Sequence, residues 1–256
     1  MSKTILITGA TDGIGLLTAQ MLASDGHSVI LHGRSDDKLQ AAVSQVGGAP
    51  ATYRADLSVV EEARALAQAV AKDHTQIDVL INNAGVLKAP KTVLDNGQDL
   101  RFVVNTLAPY ALTMALLPKM PKDGRILNLS SAAQATVNLS ALRGGVRLDD
   151  MDAYAQSKRA ITLWSAHLAQ TLAEGPLVFA VNPGSLLASK MVKEGFGVAG
   201  HDLRIGADIL CRLALKDGFD DRNGAYWDND AGRFAPVDLS QMEDVVATIE
   251  ALVKGN

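Results

Sequence analysis

Short apolar runs alternate with longer helical patterns along the whole chain, and this alternation is the feature that most constrains the fold. The clearest runs are Ile5–Ile7, Val29–Leu31, Val79–Ile81, Ile126–Leu129 and Val178–Val181, and two weaker ones are Thr52–Arg54 and Ala225–Trp227. Several of the clear runs are apolar on both faces, which is typical of parallel strands that helices cover on both sides.

Helical patterns lie between these runs, near residues 14–25, 36–46, 59–73, 97–117, 152–173, 203–216 and 239–253. Strands and helices that alternate with short connections favour right-handed crossovers. The pattern therefore predicts an α/β chain with a single Rossmann-type, doubly wound parallel sheet of about seven strands and helices on both faces. No internal repeat or linker divides residues 1–256, so we expect a single domain.

Two connections, residues 132–150 and 184–202, are too long to be simple turns. Both leave the carboxyl edge of the predicted sheet, where ligands bind in open α/β folds, and loops of this length are often functional. We expect residues 184–202 to form a mobile lid over a substrate, because Gly195, Gly197 and Gly200 loosen the backbone. The alternative is a permanently packed pair of helices.

The composition excludes several classes of function. The net charge is −4 and no Lys/Arg block occurs, which argues against nucleic acid or an anionic membrane as a main partner. The single cysteine, Cys211, can form no intramolecular disulfide, and the five histidines have no metal-ligand spacing. No apolar run approaches ~18–20 residues and no signal-peptide layout is present, so we expect a cytoplasmic protein without a metal.

A glycine-rich turn, Thr8-Gly9-Ala10-Thr11-Asp12-Gly13-Ile14-Gly15, follows the first predicted strand and opens the first helix. Gly9 permits a tight turn, Gly13 lets a diphosphate approach the backbone, and Gly15 allows close packing of helix and strand. The helix N-terminus offers unpaired N–H groups to the phosphates. This order indicates a nucleotide site, although an ordinary strand-to-helix turn is the alternative. The predicted site comprises Thr8, Gly9, Asp12, Gly13, Ile14 and Gly15.

Three motifs together resemble those of the short-chain dehydrogenases/reductases: the glycine turn, Asn82-Asn83-Ala84-Gly85 and Tyr154-x-x-x-Lys158. They occur in the family's order and span essentially the whole chain. The long separation of Ser131 from Tyr154 is similar to that in the retinol-dehydrogenase-like branch. The resemblance implies an NAD(P)-dependent oxidoreductase, and a homodimer or homotetramer that is often built on the helix carrying Tyr154.

The resemblance also implies cofactor contacts outside the glycine turn. Asp56 would hydrogen-bond to the adenine, and Asn182-Pro183-Gly184 resembles the family's turn beside the nicotinamide. Ala188 replaces a threonine that often contacts the carboxamide, and Ser189 would substitute for it. The implied contacts are Asp56, Leu57, Asn83, Ala84, Gly85, Pro183, Gly184 and Ser189.

The end of the second predicted strand, His32-Gly33-Arg34-Ser35, bears on the choice of cofactor. Gly33 leaves no carboxylate for the ribose hydroxyls of NAD, whereas Arg34 and Ser35 offer a forked cation and a hydroxyl to a 2′-phosphate. We also expect Ser35 to cap the next helix. NADP(H) is therefore favoured, although nearby carboxylates oppose a phosphate and leave NAD(H) as an alternative.

Tyr154 and Lys158 are four residues apart in a helical pattern, so they share one helix face. The ordinary pKa of tyrosine, about 10, is too high for easy proton exchange at neutral pH, and a neighbouring ammonium lowers it. We therefore expect Tyr154 to be the general acid–base group, with Lys158 lowering its pKa. By resemblance Lys158 also holds the nicotinamide ribose. We expect both Tyr154 and Lys158 to contact the cofactor.

Two more catalytic residues follow from the resemblance. Ser131, the second hydroxyl after the predicted strand Ile126–Leu129, would hydrogen-bond to the substrate oxygen, while Ser130 fits an ordinary turn. Asn105 matches the asparagine that supports a water-mediated proton relay to the lysine. The predicted catalytic residues are thus Asn105, Ser131, Tyr154 and Lys158.

Together these features predict hydride transfer between NADP(H) and a ketone, an aldehyde or a secondary alcohol. We expect a fairly apolar substrate because of the apolar residues in the long connections, which are Leu139, Leu142, Leu186, Leu187, Met191, Val192 and Phe196. The alternative is that these side chains pack against the body of the protein. One alternative is a catalytically idle protein that senses the cofactor, which the intact catalytic set opposes. Another alternative is a nucleotide-sugar epimerase or dehydratase. Such enzymes usually have a longer C-terminal substrate domain, and the stretch after Gly184 is short for one.

Overall fold

Strands and helices alternate as the apolar pattern predicts. The computed structural model describes residues 1–172, 174–188 and 190–255. Its strands are β1 Thr4–Ile7, β2 Ser28–Gly33, β3 Ala51–Arg54, β4 Val79–Asn82, β5 Arg125–Leu129, β6 Leu177–Asn182, β7 Tyr226–Asp228 and β8 Arg233–Ala235. They form one sheet in the order β3-β2-β1-β4-β5-β6-β7-β8, in which every neighbouring pair is parallel except β7 and β8.

The predicted doubly wound α/β fold is confirmed, with one strand more than the seven expected. The additional strand, β8, pairs antiparallel with β7, so that Arg233 lies opposite Asp228. It is only three residues long and begins with an exposed arginine. The apolar pattern therefore carries no signal for this strand, which the hairpin geometry creates.

The helices lie close to their predicted positions. They are α1 Gly13–Ser24, α2 Asp36–Val46, α3 Val60–Asp73, α4 Leu100–Phe102, α5 Ala108–Leu116, α6 Leu139–Leu142, α7 Asp150–Thr171, α8 Lys190–Phe196, α9 Arg204–Leu215 and α10 Met242–Lys254. A π-helical turn, Val103–Leu107, joins α4 to α5, and short 3₁₀ turns occur at Leu117–Lys119 and Asp220–Arg222. Both long connections thus contain a short helix.

Two apolar cores lie on opposite faces of the sheet, because successive strand residues point to opposite sides. In β1, Leu6 packs on the side of α3, α5, α7 and α10, whereas Ile5 and Ile7 pack on the side of α1 and α9. Leu142 and Leu187, which we expected beside a substrate, are buried, and Leu142 belongs to the first core. Leu142 therefore stabilises the body of the protein.

The helical stretch Leu100–Lys119 corrects the expectation that no segment is long and apolar enough to cross a membrane. By length and composition alone this stretch is long and apolar enough to cross a membrane: the mean hydropathy of its most apolar window is 1.4, and 72% of that window is buried inside the protein. The core helix of a protein that does not enter a membrane can have the same length and composition. The buried Arg101 of this stretch donates hydrogen bonds to Asp99 and forms an ion pair with Asp150 at the start of α7.

The helix that carries Tyr154, α7, is covered on most of its surface. Thirteen of its 22 residues are buried. α10 packs along α7. Two neighbouring elements also hold α10: the Tyr110 hydroxyl in α5 donates a hydrogen bond of 3.1 Å to Glu250, and Arg143, just after α6, donates one of 2.9 Å to Thr248. An interface between copies of the chain on this side would therefore have to include α10.

Candidate active site

The glycine turn brings backbone N–H groups to the start of α1. Gly9 and Gly13 have φ values of +64° and +55°, a conformation that favours glycine. A Cβ on Gly15 would lie 2.3 Å from Nδ2 of Asn83 and 2.5 Å from the carbonyl oxygen of Gly9, so a larger residue does not fit. The first-turn N–H groups have no carbonyl partner within the helix, which makes this a suitable cradle for a phosphate.

Asp12 lies in the turn but has a structural role that the motif did not indicate. Its carboxylate caps α1 by accepting a hydrogen bond of 2.7 Å from the N–H of Gly13. A phosphate at this helix end would therefore use the next N–H groups, those of Ile14 and Gly15. The capping carboxylate also places a negative charge beside the cradle, which an anionic ligand has to tolerate.

Gly206, a residue that no motif pointed to, brings two parts of the site together. It lies in the first turn of α9, where a Cβ would be 3.3 Å from Cδ1 of Ile14 and 3.3 Å from Cβ of Pro183. The lack of a side chain at this position lets the glycine turn and the turn after β6 approach each other. Both ends of a dinucleotide could thus be held at one edge of the sheet.

The Asn82–Gly85 motif is joined to the glycine turn by a set of hydrogen bonds. The Thr8 hydroxyl accepts from the N–H groups of Asn83 and Ala84 at 3.0 and 3.1 Å. Nδ2 of Asn83 donates to the carbonyl oxygens of Thr8 and Gly9 at 2.9 and 3.1 Å. The next residue, Gly85, passes beside Nζ of Lys158, which would be 3.4 Å from a Cβ at that position. The structure thus brings the three motifs together.

His32 also supports the glycine turn, although its spacing gave no reason to select it. Its Nδ1 accepts a hydrogen bond of 3.2 Å from the N–H of Gly9, and its Nε2 lies 3.1 Å from the carbonyl oxygen of Ala55. Because Nδ1 accepts, Nε2 carries the proton of the neutral ring. Burial lowers the pKa of His32, against the opposing effects of the Ala55 carbonyl and Asp56, and so favours this neutral form.

The end of β2 has no space for an acidic side chain. A Cβ on Gly33 would lie 2.5 Å from Cγ2 of Thr11 in the glycine turn. Arg34 is exposed and forms no ion pair with another described residue. Ser35 is the N-cap residue of α2, but its side chain makes no capping hydrogen bond, contrary to our expectation. Its hydroxyl therefore stays available beside Arg34.

Asp56 and Leu57 follow β3, which lies next to β2 in the sheet. Oδ1 of Asp56 accepts a hydrogen bond of 2.9 Å from the N–H of Ser58, and the Asp56 N–H donates to Glu62 at 2.6 Å. Leu57 is buried. Both residues therefore lie at the same sheet edge as Arg34, with the Asp56 carboxylate partly exposed.

Ser131, Tyr154 and Lys158 meet at the carboxyl end of β5. The Ser131 side chain lies close enough to that of Tyr154 to lower its pKa, and Nζ of Lys158 lies 5.6 Å from the centroid of the Tyr154 ring. The same ammonium donates a hydrogen bond of 2.7 Å to the carbonyl oxygen of Leu129. Ser130 instead donates to the carbonyl oxygen of Lys158 at 2.9 Å and so fastens β5 to α7.

Asn105 lies in the π-helical turn, where the widened helix turns its side chain toward the loop after β4. Its Nδ2 donates to the carbonyl oxygen of Val86 and to Oγ of Ser157, each at 2.9 Å, and its Oδ1 accepts from the N–H of Val86 at 2.8 Å. Asn105 is buried, and it thus fixes the loop that passes Lys158.

The ionisation of the two central groups differs from the expectation for Tyr154. Burial raises the pKa of Tyr154, and the hydrogen bond from Ser131 opposes this rise. Burial also lowers the pKa of Lys158 to about 8. In the protein without ligand, burial therefore outweighs the effect of Ser131, and the pKa of Tyr154 lies above its ordinary value.

The turn after β6 is held by two carboxylates that sequence reasoning did not select, because no motif contains them. Nδ2 of Asn182 donates to Asp228 and to Asp230, each at 2.9 Å. Asp230 also accepts from the N–H and hydroxyl of Ser185 at 2.8 and 2.5 Å. Between these residues lie Pro183 and Gly184, the latter with φ of +123°. The predicted contact at Ser189 lies outside the described residues.

The described parts of segment 184–202 pack beside the loop after β4. The N–H of Ala188 and the carbonyl of His201 form a hydrogen bond of 2.7 Å, which closes the base of the segment. Lys88 donates to the carbonyl oxygen of Gly195 at 3.2 Å, and a Cβ on Gly195 would lie 2.7 Å from Cδ2 of Leu87. α8 therefore lies next to the loop that contains Gly85.

Among residues 1–172, 174–188 and 190–255, no group of three or more His, Cys, Asp or Glu side chains is arranged to hold a metal ion. The glycine turn and the catalytic residues offer N–H donors, the buried ammonium of Lys158 and the hydroxyls of Ser131 and Tyr154 at this edge, beside the carboxylates of Asp12 and Asp56. This donor set fits an anionic dinucleotide whose phosphates, ribose and nicotinamide need hydrogen bonds.

Comparison with known proteins agrees with this arrangement. The profile of the short chain dehydrogenase family matches residues 3–196. Human retinol dehydrogenase 13 is 30% identical over 281 aligned residues, which cover 97% of this chain and 82% of that protein. The chain therefore spans most of the length of this relative.

Two solved structures are also similar. A protein from Mycobacterium paratuberculosis that is itself uncharacterised aligns with a TM-score of 0.81 and 29% identity, over 98% of this chain and 93% of its own. A short chain dehydrogenase from Escherichia coli CFT073, complexed with NADPH, aligns with a TM-score of 0.73 and 27% identity, over 89% and 96% of the chains. The chain therefore belongs to the short-chain dehydrogenase/reductase family of NAD(P)-dependent oxidoreductases, in its retinol-dehydrogenase-like branch.

Proposed function

We propose that the protein is an NADP(H)-preferring oxidoreductase that transfers a hydride between the nicotinamide and a ketone, an aldehyde or a secondary alcohol of fairly apolar character. The observation that carries this proposal is the buried ammonium of Lys158, 5.6 Å from the centroid of the Tyr154 ring, with the Ser131 side chain beside the same tyrosine. A protein that only sensed the cofactor would need the glycine turn but not this group of three.

The cofactor, when bound, supplies or accepts the hydride, and the side chains handle the proton. Oγ of Ser131 accepts a hydrogen bond of 3.1 Å from the N–H of Ala133, which leaves its own proton for an oxygen in the site. In reduction, Tyr154 would give its proton to the substrate oxygen, and in oxidation it would take the proton back. The positive charge of Lys158 would stabilise the phenolate.

Several residues would hold the cofactor. The N–H groups of Ile14 and Gly15 would bind the phosphates, and the Asp56 carboxylate would bind the adenine. Lys158 would hold the nicotinamide ribose, and the turn at Pro183–Gly184 would lie beside the nicotinamide. The role of Asn105 in a proton relay would follow from its hold on the loop beside Lys158.

The preference for NADP(H) rests on charge at the end of β2. Arg34 has no ion-pair partner among the described residues, whereas the neighbouring Asp36 is 3.5 Å from Nε of Arg54. One of the carboxylates that would repel a 2′-phosphate is therefore partly neutralised. A side chain at position 33 would also collide with Thr11, so this position cannot hold the acidic residue on which an NAD site relies. The E. coli relative complexed with NADPH supports this preference.

We further propose that residues 184–202 act as a lid over an apolar substrate. Leu186 has φ of +51° and is 41% exposed, so the segment contains a strained apolar residue that is not buried. The Met191 side chain is within 3.7 Å of a Cβ position at Gly85, beside the catalytic lysine. The names of the retinol dehydrogenase relatives support an apolar substrate.

The assembly and location are also proposals. We propose a cytoplasmic homodimer or homotetramer that binds neither nucleic acid nor a membrane. The net charge of −4 and the absence of a basic block support the last two points. The cover of α7 by α10 indicates that the oligomer would form through the outer face of α10.

The test is a scan of ketones and aldehydes with NADPH and of alcohols with NADP⁺, in which the absorbance of the reduced nicotinamide measures turnover. We expect net oxidation or reduction by the wild-type protein and its loss in Tyr154→Phe. Tight cofactor binding without turnover of any compound would favour the idle sensor instead. Conversion of a nucleotide sugar without net change in the cofactor would favour an epimerase.

A further inference from the structure

A second tyrosine holds the backbone of the catalytic serine. Tyr226, in β7, is 6% exposed, and its hydroxyl donates a hydrogen bond of 2.9 Å to the carbonyl oxygen of Ser131. Nε2 of Gln134 donates to the same oxygen at 3.0 Å. Two side chains therefore converge on one carbonyl group at the centre of the candidate site.

This carbonyl would otherwise have no partner in the sheet. The pairing of β5 with β6 ends at Leu129, and the last ladder hydrogen bond runs from the N–H of Ser130 to the carbonyl of Val181. Ser131 lies one residue beyond it. Tyr226 lies in β7, on the far side of β6, and its hydroxyl supplies a donor from outside the ladder, as Gln134 does.

Holding this carbonyl also controls the Ser131 hydroxyl. The carbonyl direction fixes ψ of Ser131, and with it the position of the Ala133 N–H that donates to Oγ at 3.1 Å. That hydrogen bond leaves the hydroxyl proton of Ser131 for Tyr154, with which it interacts. Loss of a donor on the carbonyl would let the peptide rotate and the hydroxyl turn away.

We propose that Tyr226 and Gln134 are positioning residues, which fix the Ser131 carbonyl and thereby direct the Ser131 hydroxyl toward Tyr154. The proposal rests on the oxidoreductase function proposed above. Its physical basis is that a donated hydrogen bond stabilises the phenolate form of Tyr154, and that a small misplacement of a reacting group slows a reaction strongly.

The hydroxyl of Tyr226 donates its proton to the Ser131 carbonyl, and this contact makes it unsuited to be the proton donor to a substrate. Burial, followed by the negative charge of Asp228, raises the pKa of Tyr226 above its ordinary value, so its hydroxyl stays protonated throughout the working range of an enzyme. A hydroxyl that never ionises is a constant donor to a carbonyl. The two tyrosines thus have separate roles, one in proton transfer and one in orientation.

The first test is the Tyr226→Phe variant, which keeps the ring and removes the donor. We expect kcat to fall about tenfold, with KM for the cofactor unchanged, and the pH profile of kcat/KM to move to higher pH. Tyr110→Phe is the matched control, because Tyr110 is also buried and donates to Glu250 at 3.1 Å, away from the site. It should alter stability without moving the pH profile.

The second test needs no substrate. The chain has four tyrosines, so ring-carbon NMR of ¹³C-labelled tyrosine can follow each ionisation, with Phe variants for assignment. In the NADP⁺ complex, Tyr226→Phe should move the titration of Tyr154 to higher pH, and Gln134→Met should move it less in the same direction. If Tyr226→Phe does not fold, Gln134→Met alone carries the test.

The outcomes separate this proposal from the proposed function. A moved Tyr154 titration without turnover of any substrate would support the positioning role and contradict the oxidoreductase activity. Wild-type turnover together with an unchanged profile and titration in both variants would overturn the positioning role and leave the activity intact.

Discussion

The ammonium Nζ of Lys158 lies 5.6 Å from the centre of the Tyr154 ring while donating a 2.7 Å hydrogen bond to the backbone carbonyl of Leu129. The carbonyl holds the charge in place, so the cation stays near the phenol without pairing with a carboxylate. Because Lys158 is only 3% exposed, water screens this charge poorly. The position of this charge underlies the first two predictions.

Replacement of Tyr154 by phenylalanine should abolish most turnover and leave the fold intact. General acid–base groups contribute about 10²–10⁴-fold, so we expect kcat to fall within this range while cofactor affinity, measured by fluorescence, stays close to that of the wild type. Tyr53→Phe, which removes a hydroxyl bonded to Asp73, is the control. Retention of more than about a tenth of kcat would show that another group transfers the proton.

Replacement of Lys158 by methionine should weaken cofactor binding and change how stability depends on pH. Burial lowers the pKa of Lys158 from 10.5 to about 8, so between these values the unfolded chain binds a proton that the folded chain does not. The contribution of this group to stability therefore rises with pH across that window, and below it the folded chain carries a buried charge.

The expected size of this effect is on the order of 3 kcal/mol, at 1.36 kcal/mol per pKa unit. Urea unfolding of both proteins across the window measures it, since the effects of the other groups cancel in the difference. The free energy of unfolding of the wild type should rise relative to Lys158→Met as the pH increases. A difference that does not vary with pH would contradict the assigned burial of the charge.

Replacement of Arg34 by alanine should weaken the binding of NADPH more than that of NADH, because only NADPH carries the 2′-phosphate. Loss of a charge-assisted hydrogen bond corresponds to a weakening of about ten- to a hundredfold. Fluorescence titration with both cofactors measures it. Arg233→Ala is the control, since this exposed arginine lies on β8 at the opposite edge of the sheet. Equal losses for NADPH and NADH would remove the phosphate role of Arg34.

Segment 186–200 should exchange its amide hydrogens quickly in the protein without ligand and slowly with NADP(H) and a substrate analogue. A lid has few fixed contacts when open, so its local opening free energy is small. Asp230→Asn, which weakens the anchor at Ser185, should speed exchange further. Strong protection that ligands do not change would favour the permanently packed helix pair.

Light scattering at micromolar concentration should give the mass of a dimer or tetramer. Because α10 covers α7, we expect the interface to contain the exposed α10 residues Ala247 and Ala251. Ala247→Arg should then shift the mass toward the monomer, whereas the same change at an exposed position of α2, such as Gln40→Arg, should not. A monomeric wild type would contradict the oligomer.

The local features of this protein follow from the sequence alone. The spacing of apolar residues determines where most strands and helices lie, because side chains repeat with a period of two in strands and 3.6 in helices. The glycines of the first turn and the i, i+4 spacing of Tyr154 and Lys158 are likewise local, so the positions of the glycine turn and of this pair could be predicted. The weak strand β8 could not, because its pairing depends on a neighbour.

Contacts between distant residues were decided only by the tertiary structure. The hydroxyl of Tyr226 meets Ser131 across 95 positions of sequence, and Asp230 meets Ser185 across 45. Such pairs depend on the order of the strands and on which side chains face each other when β5, β6 and β7 align. The apolar pattern does not encode this order, because each strand is a similar short apolar run. The sequence therefore determines which residue types reach the active edge, and the folded sheet determines which of them hold one another in place.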